Sequence, residues 1–353
     1  MTRSQTDQIP RYGTVRVGTM AAIPAVIQKF GLDPAEVFAD AGLDLKLLDN
    51  PDNVITYASR SHLIKTCIDK TGCSHFGLLV GQQGDLSSFG LVGYLVMHSP
   101  DLESALHSLI RYFYLHVQGA AAILTRMDDM ALLSYSIYQP KVEASEQIED
   151  GAVAIAFNIL RNLCGKKRQP VEIRFTHRKP EDTAPYRKFF QTPLRFNAEQ
   201  NGVLFPANWL KQPVHGADPE LHRLLKKQIE VLETSNNDYF PDQVRRILHT
   251  ALITGHSKAD NIAALFSMHS RTLNRRLKAY ETSFKDLADE ARYEIAQQLL
   301  ENSELEITQI AAALGYADAS AFSRAFRRWS GITPSTWRER SGDKKHISLS
   351  EEG

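Results

Sequence analysis

Two similar segments in the last third of the chain restrict its fold more than any other feature of the sequence. Residues 262–277 read IAALFSMHSRTLNRRL, and residues 310–326 read IAAALGYADASAFSRAF. Each contains Ile-Ala-Ala, then a short break, then a second helical pattern, which is the form of a helix-turn-helix unit. Between them, Phe284–Leu300 predicts one continuous helix of about 17 residues, roughly 25 Å long at 1.5 Å per residue. The sequence therefore predicts an all-α region of two helix-turn-helix units joined by a linker helix.

The second helix of each unit is predicted to expose a basic face. Residues three and four apart share a helix face, so one stripe forms in each copy: Arg271, Asn274, Arg275 and Lys278 in the first, and Ser320, Ser323, Arg324 and Arg327 in the second. Neither stripe contains an acid. On a single helix such a stripe is usually only a solvated face, but its recurrence in two copies favours DNA binding. Two such helices joined by one linker helix can reach successive major-groove segments, which recur every ~34 Å.

The first two-thirds of the chain combine helical and strand periodicities, so an α+β domain is predicted there. Apolar spacing predicts helices at 59–70, 101–114 and 149–163. Residues 120–127 and 131–139 predict a β-hairpin, 170–178 predicts a strand, and 193–206 predicts two strands around an Asn201-Gly202 turn. The polar stretch 233–242 is the predicted linker. We therefore expect an α+β domain at 1–235, an all-α domain at 236–340 and a polar tail at 341–353.

Composition excludes several classes of protein. With 43% apolar and 23% charged residues, the chain resembles an average soluble globular protein. Its 41 basic and 41 acidic side chains cancel, which argues against coating nucleic acid with the whole surface. Cys67, Cys73 and Cys164 form no CxxC pair and are interpreted as reduced thiols. The N-terminus resembles no signal peptide, and no apolar run reaches the roughly 20 residues of a membrane helix. The expected location is the cytoplasm.

Residues 306–338 carry a motif that points to a family. The segment EITQIAAALGYADASAFSRAFRRWSGITPSTWR resembles the signature of AraC/XylS-type transcription regulators. The matching positions are Ile310, Ala311, Gly315, Tyr316, Asp318, Ser320, Phe322, Arg324, Phe326, Arg327, Gly331, Thr333, Pro334, Trp337 and Arg338. The resemblance covers about 100 residues. Upstream stretches such as HFGLLVGQ and GLVGYLVMHSP are similar to the ligand-binding half of one subgroup of this family.

The resemblance implies a sequence-specific DNA-binding regulator, an activator, whose N-terminal domain binds an effector or dimerises. By position it implies that Arg271, Asn274, Arg275, Ser320, Ser323 and Arg324 face bases. The other basic side chains of these helices suit phosphates: Arg276, Lys278, Arg327 and Arg328. The expected partners are double-stranded promoter DNA, RNA polymerase, an unidentified small-molecule effector and a second copy of the chain, without a membrane.

The first unit departs from the family pattern at three positions. The family often has glycine where Ser267 stands in the turn, serine where His269 caps the second helix, and glycine where Glu281 stands. Histidine is a poorer N-cap than serine. The base contacts of the first unit therefore follow less directly from the resemblance than its fold does.

The N-terminal region contains no catalytic motif, so we expect no enzyme activity, no metal and no cofactor. Its candidate effector-binding residues are Tyr112, Tyr114 and His116, in an aromatic cluster at the end of a predicted helix, although such clusters are more often core. The alternative function is a metabolite-binding protein or enzyme for which the C-terminal module is only a DNA tether. Turnover by the N-terminal region would separate the two hypotheses.

Overall fold

The computed structural model divides the chain into two units, Met1–Asn236 and Asn237–Gly353. It describes residues 13–137, 139, 142–165, 168–235, 240–253, 257–266, 268–302 and 305–339. The predicted polar tail, 341–353, and the turn residue Ser267 lie outside the described residues. Each unit is described below by itself.

Nine α-helices are described in the first unit, together with short 3-10 turns. They are α1 (Ile23–Lys29), α2 (Pro34–Asp40), α3 (Tyr57–Thr71), α4 (Phe76–Gly81), α5 (Leu91–Met97), α6 (Leu102–Tyr112), α7 (Ser145–Cys164), α8 (Ala184–Phe190) and α9 (Pro219–Ser235). The predictions at 59–70, 101–114 and 149–163 correspond to α3, α6 and α7. Local signals set their ends: the Thr56 side chain accepts from the Ser59 amide at the start of α3, and Gly72 ends it in the left-handed region at φ 64°.

A five-stranded sheet packs with these helices, in the order β3-β4-β7-β5-β6. Its strands are β3 (Ala120–Met127), β4 (Met130–Ile137), β5 (Glu172–Arg174), β6 (Leu194–Arg195) and β7 (Asn201–Pro206). The predicted hairpin is present as β3 and β4, antiparallel with Met127 opposite Met130. A separate two-stranded sheet pairs β1 (Thr14–Arg16) with β2 (Val54–Thr56).

The prediction of a turn at Asn201-Gly202 is wrong. Both residues lie inside β7, where Gly202 pairs with Ser134 on one side and Arg174 on the other. A Cβ on Gly202 would stand 2.5 Å from the Leu133 carbonyl oxygen, so the glycine permits close strand approach instead of a turn. Strand β6 pairs with β5 in parallel and not with β7. The strand predicted at 170–178 is shorter, because only three of its residues join the ladder.

Helix α7 contacts both α4 and the sheet. A Cβ on Gly77 of α4 would lie 1.8 Å from the Gln147 carbonyl oxygen, so α4 and α7 touch backbone to backbone at this point. The same close approach recurs one turn further along, where Gly81 faces Gly151. Only residues without a side chain allow two helices to pack this closely.

A buried polar network lies between α7 and the segment that follows β5. Asp150 is fully buried, and its carboxylate accepts hydrogen bonds from the Tyr186 hydroxyl (2.5 Å) and the Gln147 side-chain amide (3.0 Å). His177 Nε2 lies 2.9 Å from the same carboxylate, and its Nδ1 lies 2.8 Å from the Arg178 carbonyl oxygen. Because both ring nitrogens face acceptors, the geometry suits an imidazolium that donates twice.

The second unit is helical in all its described elements. They are α10 (Phe240–Ile253), α11 (Ala259–Leu265), α12 (Ser270–Lys278), α13 (Phe284–Asn302), α14 (Ile307–Ala313) and α15 (Ala319–Ser330). Helix α9 extends to Ser235 and α10 begins at Phe240, so both ends of the linker predicted at 233–242 are helical; residues 236–239 lie outside the described residues. One apolar cluster contains residues from all six helices.

Candidate functional site

Helix α12 is the second helix of the first helix-turn-helix unit. Its core side is fixed by Leu273 and Leu277, both fully buried. Arg271, Asn274 and Arg275 project from the exposed side, as the helical spacing predicts. Among the described residues, none of these three side chains forms a hydrogen bond or an ion pair. The face is therefore anchored by its leucines and open on its polar side.

Two of the three departures from the family pattern have a visible consequence in this unit. His269 occupies the N-cap of α12 and its side chain makes no capping hydrogen bond. Glu281 adopts φ 57°, the left-handed region in which glycine is favoured and a side chain is strained. Both positions thus differ locally from what serine or glycine would give there.

Helix α15 is the corresponding element of the second unit. The Asp318 side chain caps its start by accepting from the Ala321 amide at 2.7 Å, and Gly331 ends it in the left-handed region at φ 80°. Phe322 and Phe326 are fully buried. The polar candidates lie on the outer side: Ser320 and Arg324 are exposed and Ser323 is half-buried.

The four candidate phosphate-binding residues are all exposed, but they differ in their contacts. The Arg276 guanidinium lies over the Phe240 ring, 4.0 Å from its centroid. Arg328 pairs with Asp289 at 3.2 Å and lies over the Trp329 ring at 5.7 Å. Lys278 and Arg327 have no such contact among the described residues. Two of the four thus contact other side chains of the second unit, and two do not among the described residues.

A cavity of about 60 Å³ lies in the first unit between α3, α6, α7 and the hairpin β3–β4. Most of its wall is apolar, and its polar lining residues include Arg60, His116 and Ser134. Of the residues predicted to bind an effector, His116 lines this cavity, whereas Tyr112 and Tyr114 are not among its lining residues. Tyr112 is instead buried in the core at 1% exposure, which matches the alternative reading of the aromatic cluster.

Arg60 and Ser134 line the cavity but are not among the effector-binding residues predicted from the sequence. Arg60 carried a signal, because it shares a helical stripe with Tyr57, Ile64 and Cys67, which are all buried. A charge within an apolar stripe marks a site that needs a partner. Ser134 carried no signal, because a serine in an alternating strand is ordinary.

The burial of His116 determines its charge. Burial lowers the pKa of His116 to about 3, and the positive charges of Arg16 and Arg60 act in the same direction. The ring is therefore neutral at physiological pH and can only accept or donate hydrogen bonds in the cavity wall.

Within the described part of the chain, no group of His, Cys, Asp and Glu side chains is arranged to hold a metal ion. In that same part, every helix is too short or too polar to cross a bilayer.

Two helix-turn-helix units preceded by an α+β unit with a cavity define a helix-turn-helix transcriptional regulator. A family profile described as the arabinose-binding domain of AraC transcription regulators matches residues 31–214, and a helix-turn-helix domain profile matches residues 262–340. The chain belongs to the AraC family of transcription regulators. It combines an N-terminal domain like the arabinose-binding one with a helix-turn-helix DNA-binding domain, as the sequence analysis predicts.

Relatives match nearly the full length of the chain. The Ornithine utilization regulator of Pseudomonas aeruginosa is 27% identical over 329 residues, which are 92% of this chain and 96% of the relative. The HTH-type transcriptional regulator VirS of Mycobacterium tuberculosis is 25% identical over 330 residues, 93% and 97% of the two chains. A solved structure of the regulator CdpR from Pseudomonas aeruginosa is 22% identical with a TM-score of 0.39, covering 74% of this chain and 86% of that one.

Proposed function

We propose that this chain is a sequence-specific transcriptional activator in which residues 236–340 read promoter DNA and residues 1–235 bind a small-molecule effector in the cytoplasm. The observation that carries the proposal is the pair of acid-free faces on α12 and α15, each anchored by fully buried side chains. RNA polymerase and a second copy of the chain are the other proposed partners. The protein acts by binding and not by catalysis, so turnover of a small molecule by the purified chain would contradict this part.

The contacts of the basic residues support two roles for them, base recognition and phosphate binding. Arg275 and Arg324 are exposed and make no ion pair among the described residues, so each guanidinium is free to hydrogen-bond a guanine edge with two N–H groups. Arg276 and Arg328 are held against Phe240 and Asp289 at the margins of their helices. Contacts from such groups to phosphates position a protein on the duplex and carry no direct sequence information.

The experiment is a binding titration of the full chain with DNA from upstream of its own gene and with scrambled DNA of the same composition. Arg275→Ala and Arg324→Ala are each expected to lose about 1–3 kcal/mol of specific binding, roughly 5- to 150-fold, and to relax selectivity at one base position. Lys278→Ala and Arg327→Ala are expected to weaken binding to both DNAs alike and to reduce the salt slope by about one.

The matched control is Arg126→Ala, which removes an exposed arginine from β3 in the first unit. It is expected to leave both affinities unchanged. Equal affinity of the wild type for upstream and scrambled DNA refutes sequence-specific binding. Unchanged specific binding in the double variant of Arg275 and Arg324 refutes the assignment of these residues to bases.

Effector control requires that the effector and the promoter DNA favour the same global state of the protein. Their affinities are then coupled reciprocally, so each ligand changes the affinity of the other by the same factor. Titrations of a candidate effector with and without bound DNA measure that factor. Equal affinities in the two titrations refute control by that compound.

A further inference from the structure

Three residues that line the cavity of the first unit each hold a buried polar atom without a hydrogen-bond partner in the described part of the chain. These atoms are Arg60 Nε, His116 Nδ1 and Ser134 Oγ. His116 is 4% exposed and Ser134 2% exposed, so water does not cover these side chains from outside. Buried polar atoms are nearly always paired in proteins, and an unpaired one costs about 1–3 kcal/mol. Three such residues on one cavity wall indicate that a polar ligand in the cavity would complete their hydrogen bonding.

The charge of that partner follows from Arg60. Its guanidinium lies over the Tyr57 ring, 5.5 Å from the ring centroid, and forms no ion pair with a carboxylate among the described residues. The lowered pKa of His116 keeps its ring neutral, so Arg60 is the cation among these three residues. A partly buried cation without a counterion is unfavourable, so the group that completes the site is an anion.

The remaining wall defines the rest of the ligand. It is formed by aliphatic and aromatic side chains, including Phe113, Ile155 and Ile159. A cavity of about 60 Å³, at roughly 10–15 Å³ for each water-sized group, holds about four to six non-hydrogen atoms. One cation in a largely apolar wall fits a single anionic head on a short apolar tail.

We propose that this cavity binds a short aliphatic monocarboxylate, with the carboxylate on Arg60 and Ser134 and the alkyl tail against α7. This inference names the chemical class of the effector and therefore rests on the proposed function. Arg60 pairs with the carboxylate, and the Ser134 hydroxyl and His116 Nδ1 complete the hydrogen bonding of the head group. A free phosphate carries more charge than one guanidinium neutralises and has no tail for the apolar wall.

The first experiment is calorimetric titration of the full chain with butanoate, which has six non-hydrogen atoms. Butanoate is expected to bind, whereas butanamide, 1-butanol and inorganic phosphate are expected to bind at least about tenfold more weakly, because each lacks the monoanionic head or the tail. Octanoate is expected to bind more weakly than butanoate, because its tail exceeds the cavity. Equal binding of butanoate and butanamide, or no butanoate binding, overturns the proposal.

The second experiment uses variants of the cavity wall. Arg60→Met is expected to weaken butanoate at least about tenfold, and Arg126→Met, an exposed control outside the cavity, is expected to leave it unchanged. Ala156→Leu fills the cavity from α7 and is expected to block butanoate while Arg60 is intact. If Arg60→Met does not fold, Ala156→Leu and Ser134→Ala decide the matter. Butanoate binding retained in Ala156→Leu overturns the proposal.

Unfolding of the ligand-free protein distinguishes a ligand-binding arginine from a structural one. Arg60→Met removes an uncompensated charge and is expected to leave the ligand-free protein at least as stable as the wild type, while butanoate no longer stabilises it. A large loss of stability without ligand shows that Arg60 serves packing instead. DNA titrations of the same proteins keep the two proposals apart, because specific DNA binding without butanoate binding refutes only the carboxylate site.

Discussion

Replacement of Asp150 by asparagine perturbs the buried charge that joins α7 to the segment after β5. Asparagine has nearly the same volume, so no cavity forms, but it carries no charge and its amide nitrogen donates. The carboxylate now accepts from Tyr186, Gln147 and His177, all within 2.5–3.0 Å. In the variant at least one of these donors faces another donor, which leaves a buried polar group unpaired.

The magnitude of the loss depends on pH because His177 titrates. Burial by itself lowers the pKa of His177, but the hydrogen bond and charge of Asp150 and the Arg178 carbonyl outweigh it and raise the pKa. In the variant the raising contributions of Asp150 are gone, so burial lowers this pKa. At pH 6, where His177 is protonated in the wild type, we expect a loss of about 3–5 kcal/mol, as for a broken buried pair. At a pH above this raised pKa the ring is neutral, and the loss falls to about 1–3 kcal/mol for the unpaired donors.

The sign of the wild-type pH dependence follows from the same shift. A histidine whose folded pKa is raised stabilises the protein fully below its unfolded value of about 6.5, and that stabilisation is lost as pH rises through the folded pKa. Burial also raises the pKa of the neighbouring Glu149 to about 7, and this acts in the same direction, because the folded state holds that proton more tightly. Glu149→Gln separates the two contributions.

The assay is hydrogen exchange of the amides in residues 145–164, corrected for the intrinsic exchange rate at each pH, in the full chain. This exchange reports the opening free energy of the first unit without requiring two-state unfolding of the whole protein. The control is Asp69→Asn, which removes an exposed carboxylate paired with Lys65 and is expected to change nothing measurable. An equal loss below and above the folded pKa of His177 in Asp150→Asn contradicts this prediction.

Three further predictions concern stability. Gly77→Ala is expected to lose several kcal/mol, because its Cβ would meet the Gln147 carbonyl oxygen at 1.8 Å; a normal thermal unfolding midpoint would contradict this. Glu281→Gly is expected to stabilise the second unit by about 1 kcal/mol in urea unfolding by relieving the left-handed strain, and a destabilised variant would be inconsistent with it. Asp318→Ala is expected to cost about 1 kcal/mol by removing the N-cap bond to the Ala321 amide, measured by amide exchange at the start of α15, where unchanged protection would disprove the capping role.

Local patterns in the sequence were sufficient to predict most elements. The periodicity of the sequence predicts the hairpin at 120–137 and the helices α3, α6 and α7. Each of them buries one face, so its apolar residues recur with the period of a strand or a helix. The Asn201-Gly202 pair led to a wrong prediction of a turn. The same dipeptide that forms a tight turn also suits a strand in which a neighbouring backbone comes close to the glycine. Sequence alone could not distinguish the two uses, since the difference lies in what is packed opposite.

The candidate DNA-binding faces and the cavity also differ in how far the sequence predicts them, for the same reason. The outer faces of α12 and α15 could be predicted, because every candidate side chain in each lies within one helix and helical spacing alone places it. The cavity could not, because Arg60, His116 and Ser134 are distant in the chain and only the packing of α3, α6, α7 and the hairpin brings them to one wall. The sequence by itself determined the class of protein and which side chains lie on the outer faces of α12 and α15, because both depend on local order. Only the tertiary structure decided which polar atoms were left without partners, because hydrogen-bond satisfaction depends on neighbours from the whole fold.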